Sequence, residues 1–137
     1  GVYGLELPLC YYDKFFSQKL TEEEITGFLG ERKKEFSILL AHNPRYGKSY
    51  FSWGADLILS GHYHGGVVRF GENIGLVSSH FRIFPPFCCG KFTRGEQNMI
   101  VSAGLGEHTI PVRFHNPREL ICITVKSPKE DVLWQYR

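Results

Sequence analysis

The chain has 137 residues, enough for one ordinary domain and one core, and its 42% apolar and 15% aromatic content excludes a disordered segment. A formal charge of +2, with no basic run able to neutralise a row of phosphates, argues against a nucleic-acid partner. No stretch approaches the ~20 apolar residues that span a bilayer, and no charged start followed by an apolar core reads as a signal peptide.

In chain order, Gly1 to Leu9 alternates loosely between apolar and polar residues and reads as a strand ended at Pro8. Cys10 to Leu20 reads as a connection. Thr21-Glu22-Glu23-Glu24 then matches a capping box, with Ile25, Phe28 and Leu29 at helical spacing behind it. This predicts a helix from Glu22 to about Arg32. Phe36 to His42 is a compact apolar run that reads as a buried strand, ended by Asn43-Pro44. Arg45 to Trp53 places Tyr46, Tyr50 and Trp53 on one face of a short helix, with Gly54 as its stop.

Asp56 to Ser60 predicts a second buried strand, running into Gly61-His62-Tyr63-His64-Gly65-Gly66. Shorter strands are expected at Val67–Phe70 and Ile74–Ser78. Phe81 to Phe92, rich in aromatics, prolines and glycines, reads as a long loop. Further strands are expected at Asn98–Ala103, Leu120–Lys126 and Val132–Tyr136. Cys10, Cys88, Cys89 and Cys122 contain no CxxC pair, which argues against a zinc ribbon, and the expectation is free thiols, buried or partly buried. His-Asn-Pro-Arg occurs at 42–45 and at 115–118 with unrelated flanks, a chance recurrence of a turn dipeptide.

The chemistry centres on three histidines. A strand–helix–strand crossover gives parallel strands, so His42 and His62 lie just past the carboxyl ends of two strands, the edge where open α/β sheets place ligands. Imidazoles on strand ends about 4.8 Å apart can converge on one metal. His62 and His64 are framed by Gly61, Gly65 and Gly66, whose backbone freedom permits a tight turn and close approach of a ligand. Packing explains such a framed pair poorly. His80, His108 and His115 read as surface or structural, and His108 is the one to test, because the neighbouring glycines allow it to approach a site. Asn43 can orient a ligand or simply form its turn. Arg45, Lys48 and Arg113 are candidates for phosphate oxygens, weighed against plain solvation.

Ala41-His42-Asn43-Pro44 resembles the lone-histidine motif of the calcineurin-like metallophosphoesterases, and Gly61-His62-Tyr63-His64 resembles their terminal GHxH motif. Gly104-Leu105-Gly106, Pro111-Val112-Arg113-Phe114 and Asn116-Pro117 resemble the closing segment of a bacterial subgroup. The resemblance implies an α/β fold, half of a sandwich with a mixed sheet and packed helices, over a single incomplete domain at 1–137. It implies two divalent metals (manganese, iron or zinc) in the complete protein, with His42 and His62 on one metal and His64 on the other. It implies hydrolysis of a phosphate mono- or diester of a small molecule or lipid, in a cytoplasmic or membrane-associated bacterial protein.

The family's Asp-x-His, Gly-Asp-x-x-Asp and Gly-Asn-His-Asp/Glu strings do not occur here, and Asn43, Arg113 and His108 are then candidate substrate contacts. The chain is therefore expected to be a C-terminal fragment, inactive alone, with partial metal occupancy or none and an exposed sheet able to self-associate. Two rivals stand beside this reading: a mononuclear three-histidine zinc hydrolase using His42, His62 and His64, and a non-catalytic interaction domain.

Overall fold

The computed structural model describes residues 1–13, 18–33, 35–71, 74–77, 84–106 and 112–126. The first strand is β1 (Val2–Leu5), followed by a 3-10 turn at Leu9–Tyr12. Helix α1 (Glu22–Leu29) opens with the expected capping box: Thr21 Oγ1 accepts from the Glu24 N–H at 3.2 Å, and the Glu24 carboxylate accepts from the Thr21 N–H at 2.8 Å. Such a cap is worth about 1 kcal/mol. The helix ends three residues earlier than expected, because Gly30 turns the backbone to φ 79° while its N–H still reaches the Thr26 carbonyl.

Strand β2 (Ile38–Ala41) leads into a split helix. Pro44–Tyr46 is a 3-10 turn capped by Asn43 Oδ1, and α2 (Gly47–Trp53) continues it until Gly54, left-handed at φ 97°, stops it. Then come β3 (Leu57–Ser60), the hairpin of β4 (Val68–Phe70) and β5 (Ile74–Val77), and the hairpin of β6 (Gly90–Arg94) and β7 (Gln97–Val101).

The main sheet has the order β1-β2-β3-β7-β6. Strands β1, β2, β3 and β7 are parallel neighbours, and β6 adds antiparallel to β7, which makes the mixed α/β sheet expected from the sequence. Leu39 stands beside Ile58, and Ile58 beside Met99, all on one face. That face packs under α1 and α2, where Ile25, Tyr50 and Trp53 close the core. Asp56 pins the β2–β3 entry by accepting from the Ser37 N–H and Oγ, both at 2.8 Å, and from Arg32 at 3.2 Å.

Several expectations are corrected. The tail of the loop read at 81–92 is β6, made a strand by pairing with β7 across a turn rather than by a local pattern of its own. Leu120–Lys126 has a strand's apolar pattern but no ladder among the described residues, and Leu120 is 84% exposed. Cys10 and Cys122 are exposed free thiols, whereas Cys88 and Cys89 are buried. Their thiols hydrogen-bond to each other, which with burial pushes the Cys88 thiol well up. The strand expected at Val132–Tyr136 lies outside the described residues. Among the described residues, no helix is long and apolar enough to cross a membrane.

Candidate functional site

The parallel order β1-β2-β3 aligns three strand ends, and each is followed by a polar residue. Glu6 follows β1 by one residue, His42 follows β2 by one, and His62 follows β3 by two. The strand ends are tied to each other: Ser60 Oγ donates to the Ala41 carbonyl at 2.6 Å, and the Gly61 N–H to the His42 carbonyl at 3.3 Å. An open groove of about 570 Å³ runs along this edge, lined by Gly4, Glu6, Leu40, His42, Leu59 and Gly61.

His42 and His62 meet. His62 Nδ1 lies 2.9 Å from His42 Nε2, with ring centroids 4.7 Å apart. At that separation the two nitrogens can share a proton as an N–H···N hydrogen bond, or bind one divalent metal at about 2.1 Å each. The Tyr12 ring borders the pair, with centroids 5.8 Å from His62 and 6.2 Å from His42. Desolvation, and then the Glu6 carboxylate, push the Tyr12 phenol up. Tyr12 and Glu6 were not singled out from the sequence. The position of Glu6 directly after a strand that neighbours β2 is the signal that could have found it.

The turn carrying His62 and His64 is conformationally unusual. His62 (φ 68°), His64 (φ 50°), Gly65 (φ 72°) and Gly66 (φ 82°) all occupy the left-handed region. For a non-glycine residue this costs roughly 1–2 kcal/mol, and such costs gather at functional turns. At Gly65 a Cβ would overlap the Asn116 carboxamide and come within 2.9 Å of Ala103, so glycine is required there for space as well as for φ. His64 forms no three-membered donor group with the other two histidines, and its Nδ1 lies 3.1 Å from the Gly106 carbonyl.

The remaining candidates are placed as follows. Asn43 is buried; Oδ1 accepts from the Arg45 N–H at 3.1 Å, and its carbonyl accepts from the Tyr50 hydroxyl at 2.8 Å. The Arg113 guanidinium donates through Nη2 to the Ala103 carbonyl at 3.0 Å and to the Gly106 carbonyl. His108 lies outside the described residues. The His42–His62 donor pair fits an imidazole-binding divalent ion. Among the described residues, however, no group of three or more His, Cys, Asp or Glu side chains that could hold a metal ion forms.

No family model and no solved structure matches the chain. Among curated proteins it is 36% identical over 96 residues to an uncharacterised metallophosphoesterase of Aquifex aeolicus, which is 69% of this chain and 34% of that protein. It is 30% identical over 93 residues to the uncharacterised metallophosphoesterase YkuE of Bacillus subtilis, 67% of this chain and 32% of that protein. It is 32% identical over 100 residues to the uncharacterised protein YpbG of Bacillus subtilis, 71% of this chain and 34% of that protein. The chain thus spans about a third of the length of the curated relatives it matches. By these matches the chain is similar to a stretch of two uncharacterised metallophosphoesterases.

Proposed function

We propose that the chain is the C-terminal, histidine-bearing portion of a metal-dependent phosphoesterase domain, with His42 and His62 on one metal and His64 on a second. The observation that carries this reading is the 2.9 Å meeting of His42 and His62 at the carboxyl edge of parallel strands. When bound, a pair of manganese, iron or zinc ions would supply Lewis acidity and an activated water for attack on a phosphate mono- or diester. This chain's residues have narrower tasks. His42 and His62 offer nitrogen donors, Tyr12 walls one side of the pair, and the left-handed turn fixes the direction of His64.

The uncovered face of the sheet supports the same reading. Val2 and Leu40 are exposed on the face opposite the helices, and the groove beside His42 opens onto it. In the longer protein the remainder of the chain would cover this face and bring the missing carboxylates. A piece lacking that cover would self-associate through it. The three-histidine zinc reading is less favoured, because the three histidines form no single donor group among the described residues and His64 Nδ1 meets the Gly106 carbonyl instead.

Zinc(II) titration followed by histidine ring NMR signals tests the proposal. The expected result is that His42 and His62 signals shift together and that His62→Ala removes the response of both. Uptake of zinc with neither ring affected would refute the assignment.

A further inference from the structure

We infer that Asn116 is a positioning residue for His64, gripping the Gly61–Gly66 turn from outside so that His64 presents a defined ring nitrogen to the site. The inference rests on the reading of His64 as a metal ligand, and it concerns how the turn is held.

Asn116 is 3% exposed. Its Nδ2 donates to the His64 carbonyl at 2.7 Å and to the Gly66 carbonyl at 2.6 Å. The two carbonyls flank Gly65, whose missing side chain makes room for the carboxamide. Both targets are acceptors, so only the amide's nitrogen end can serve, and its two N–H groups match them. Around this contact, residues 112–119 are sewn to the same loops. The Phe114 N–H donates to the Val67 carbonyl at 2.8 Å, and the Arg69 N–H to the Phe114 carbonyl at 3.1 Å. Glu119 Oε1 accepts from the Ala103 N–H at 2.7 Å, while its other oxygen pairs with Arg69 at 3.4 Å.

The consequence for His64 is specific. Its Nδ1 faces the Gly106 carbonyl, which can only accept. Nδ1 therefore carries the proton, and Nε2 is the basic nitrogen of the neutral ring. Arg113 donates to that same Gly106 carbonyl and holds it in place. The closing segment thus fixes both the backbone of His64, through Asn116, and its tautomer, through Gly106. The second His-Asn-Pro-Arg string, at 115–118, acquires a role here: its asparagine reaches the GHxH turn.

The test is long-range proton–nitrogen NMR of the His64 ring in the metal-free 137-residue protein at about pH 8.5, where imidazole is neutral. Wild type should show the Nδ1-protonated tautomer in excess. Asn116→Ala and Asn116→Asp should both move the ratio several-fold toward that of an unrestrained imidazole. In both variants the Gly66 amide, bonded to the Tyr63 carbonyl at 2.8 Å, should exchange at least tenfold faster, while amides of β2 and β3 keep their rates. Asp keeps the shape but replaces the two N–H donors with a carboxylate against the two carbonyls, so a turn that Asn116 does not hold predicts wild-type behaviour in both variants. That result, or an unchanged tautomer in both variants, would overturn the inference. Should Asn116→Ala not fold, Gly65→Ala displaces the carboxamide from the opposite side and should give the same tautomer change. A His64 that keeps its tautomer through Asn116 yet takes up no metal would sink the metal assignment and leave this inference standing.

Discussion

The two faces of the main sheet are built from the same strands and have opposite environments. On one face Leu39, Ile58 and Met99 are completely buried under α1 and α2; on the other Leu40 is 45% and Val2 68% exposed. Parallel strands are ordinarily covered on both faces and read as continuous apolar runs. Here the run is present, as Ile38-Leu39-Leu40-Ala41 and Leu57-Ile58-Leu59: in β2 Leu39 and Ala41 are buried while Leu40 is exposed, and in β3 Leu57 and Ile58 are buried while Leu59 is half-buried. The difference teaches that the strands are written for a two-sided sheet, and the chain spans only about a third of its relatives' length. The His42–His62 pair sits at the rim of the uncovered side, where the groove opens.

The sharpest way to break that comparison is a matched pair of truncations. Ile58→Ala removes atoms from a filled core and should cost about 2–5 kcal/mol. Leu40→Ala removes a half-exposed side chain and should cost well under ~1 kcal/mol, as exposed positions do. Urea denaturation of both variants checks this. Equal losses would mean that the second face is covered in solution.

Which parts were legible in the sequence follows from the range of the interactions that set them. The β2–α2–β3 unit and its two histidines rest on local pattern: a compact apolar run, a turn at Asn43-Pro44, aromatics at helical spacing and a glycine stop. The capping box at Thr21 is equally local, and it formed as expected. The surroundings of His64 are set by Gly106 and Asn116, more than 40 residues away, and no spacing rule reports such contacts. Strand β6 hid behind prolines and aromatics because its identity comes from pairing with β7. Leu120–Lys126 reads as a strand for the opposite reason: its apolar pattern is clear, but no described strand pairs with it.

A smaller effect should distinguish the covered side by pH. Tyr11 is buried in the core, and its hydroxyl donates to Glu24 Oε1 at 2.9 Å. Burial first, and Glu24 second, push its phenol up to about 12. Unfolded tyrosine titrates near about 10, so above that pH the folded state holds more protons and stability falls as pH rises. The Tyr11 contribution is fully present below about pH 10 and lost as pH rises through about 12. Denaturation midpoints on either side of this window should drop in wild type, and Tyr11→Phe should drop less. An identical slope in the two proteins would show that Tyr11 plays no part in it. Tyr50, whose phenol burial also pushes well up, keeps some of the slope in the variant.

The central claim is that the chain carries the histidine part of a metal site whose other ligands lie elsewhere. Elemental analysis of the 137-residue protein, purified without chelator, tests this most directly. The account predicts fewer than two ions per chain, with any bound ion lost in His42→Ala and in His62→Ala. Two tightly held ions per chain would contradict it, because the described residues would then have to complete a centre whose ligands they do not bring together.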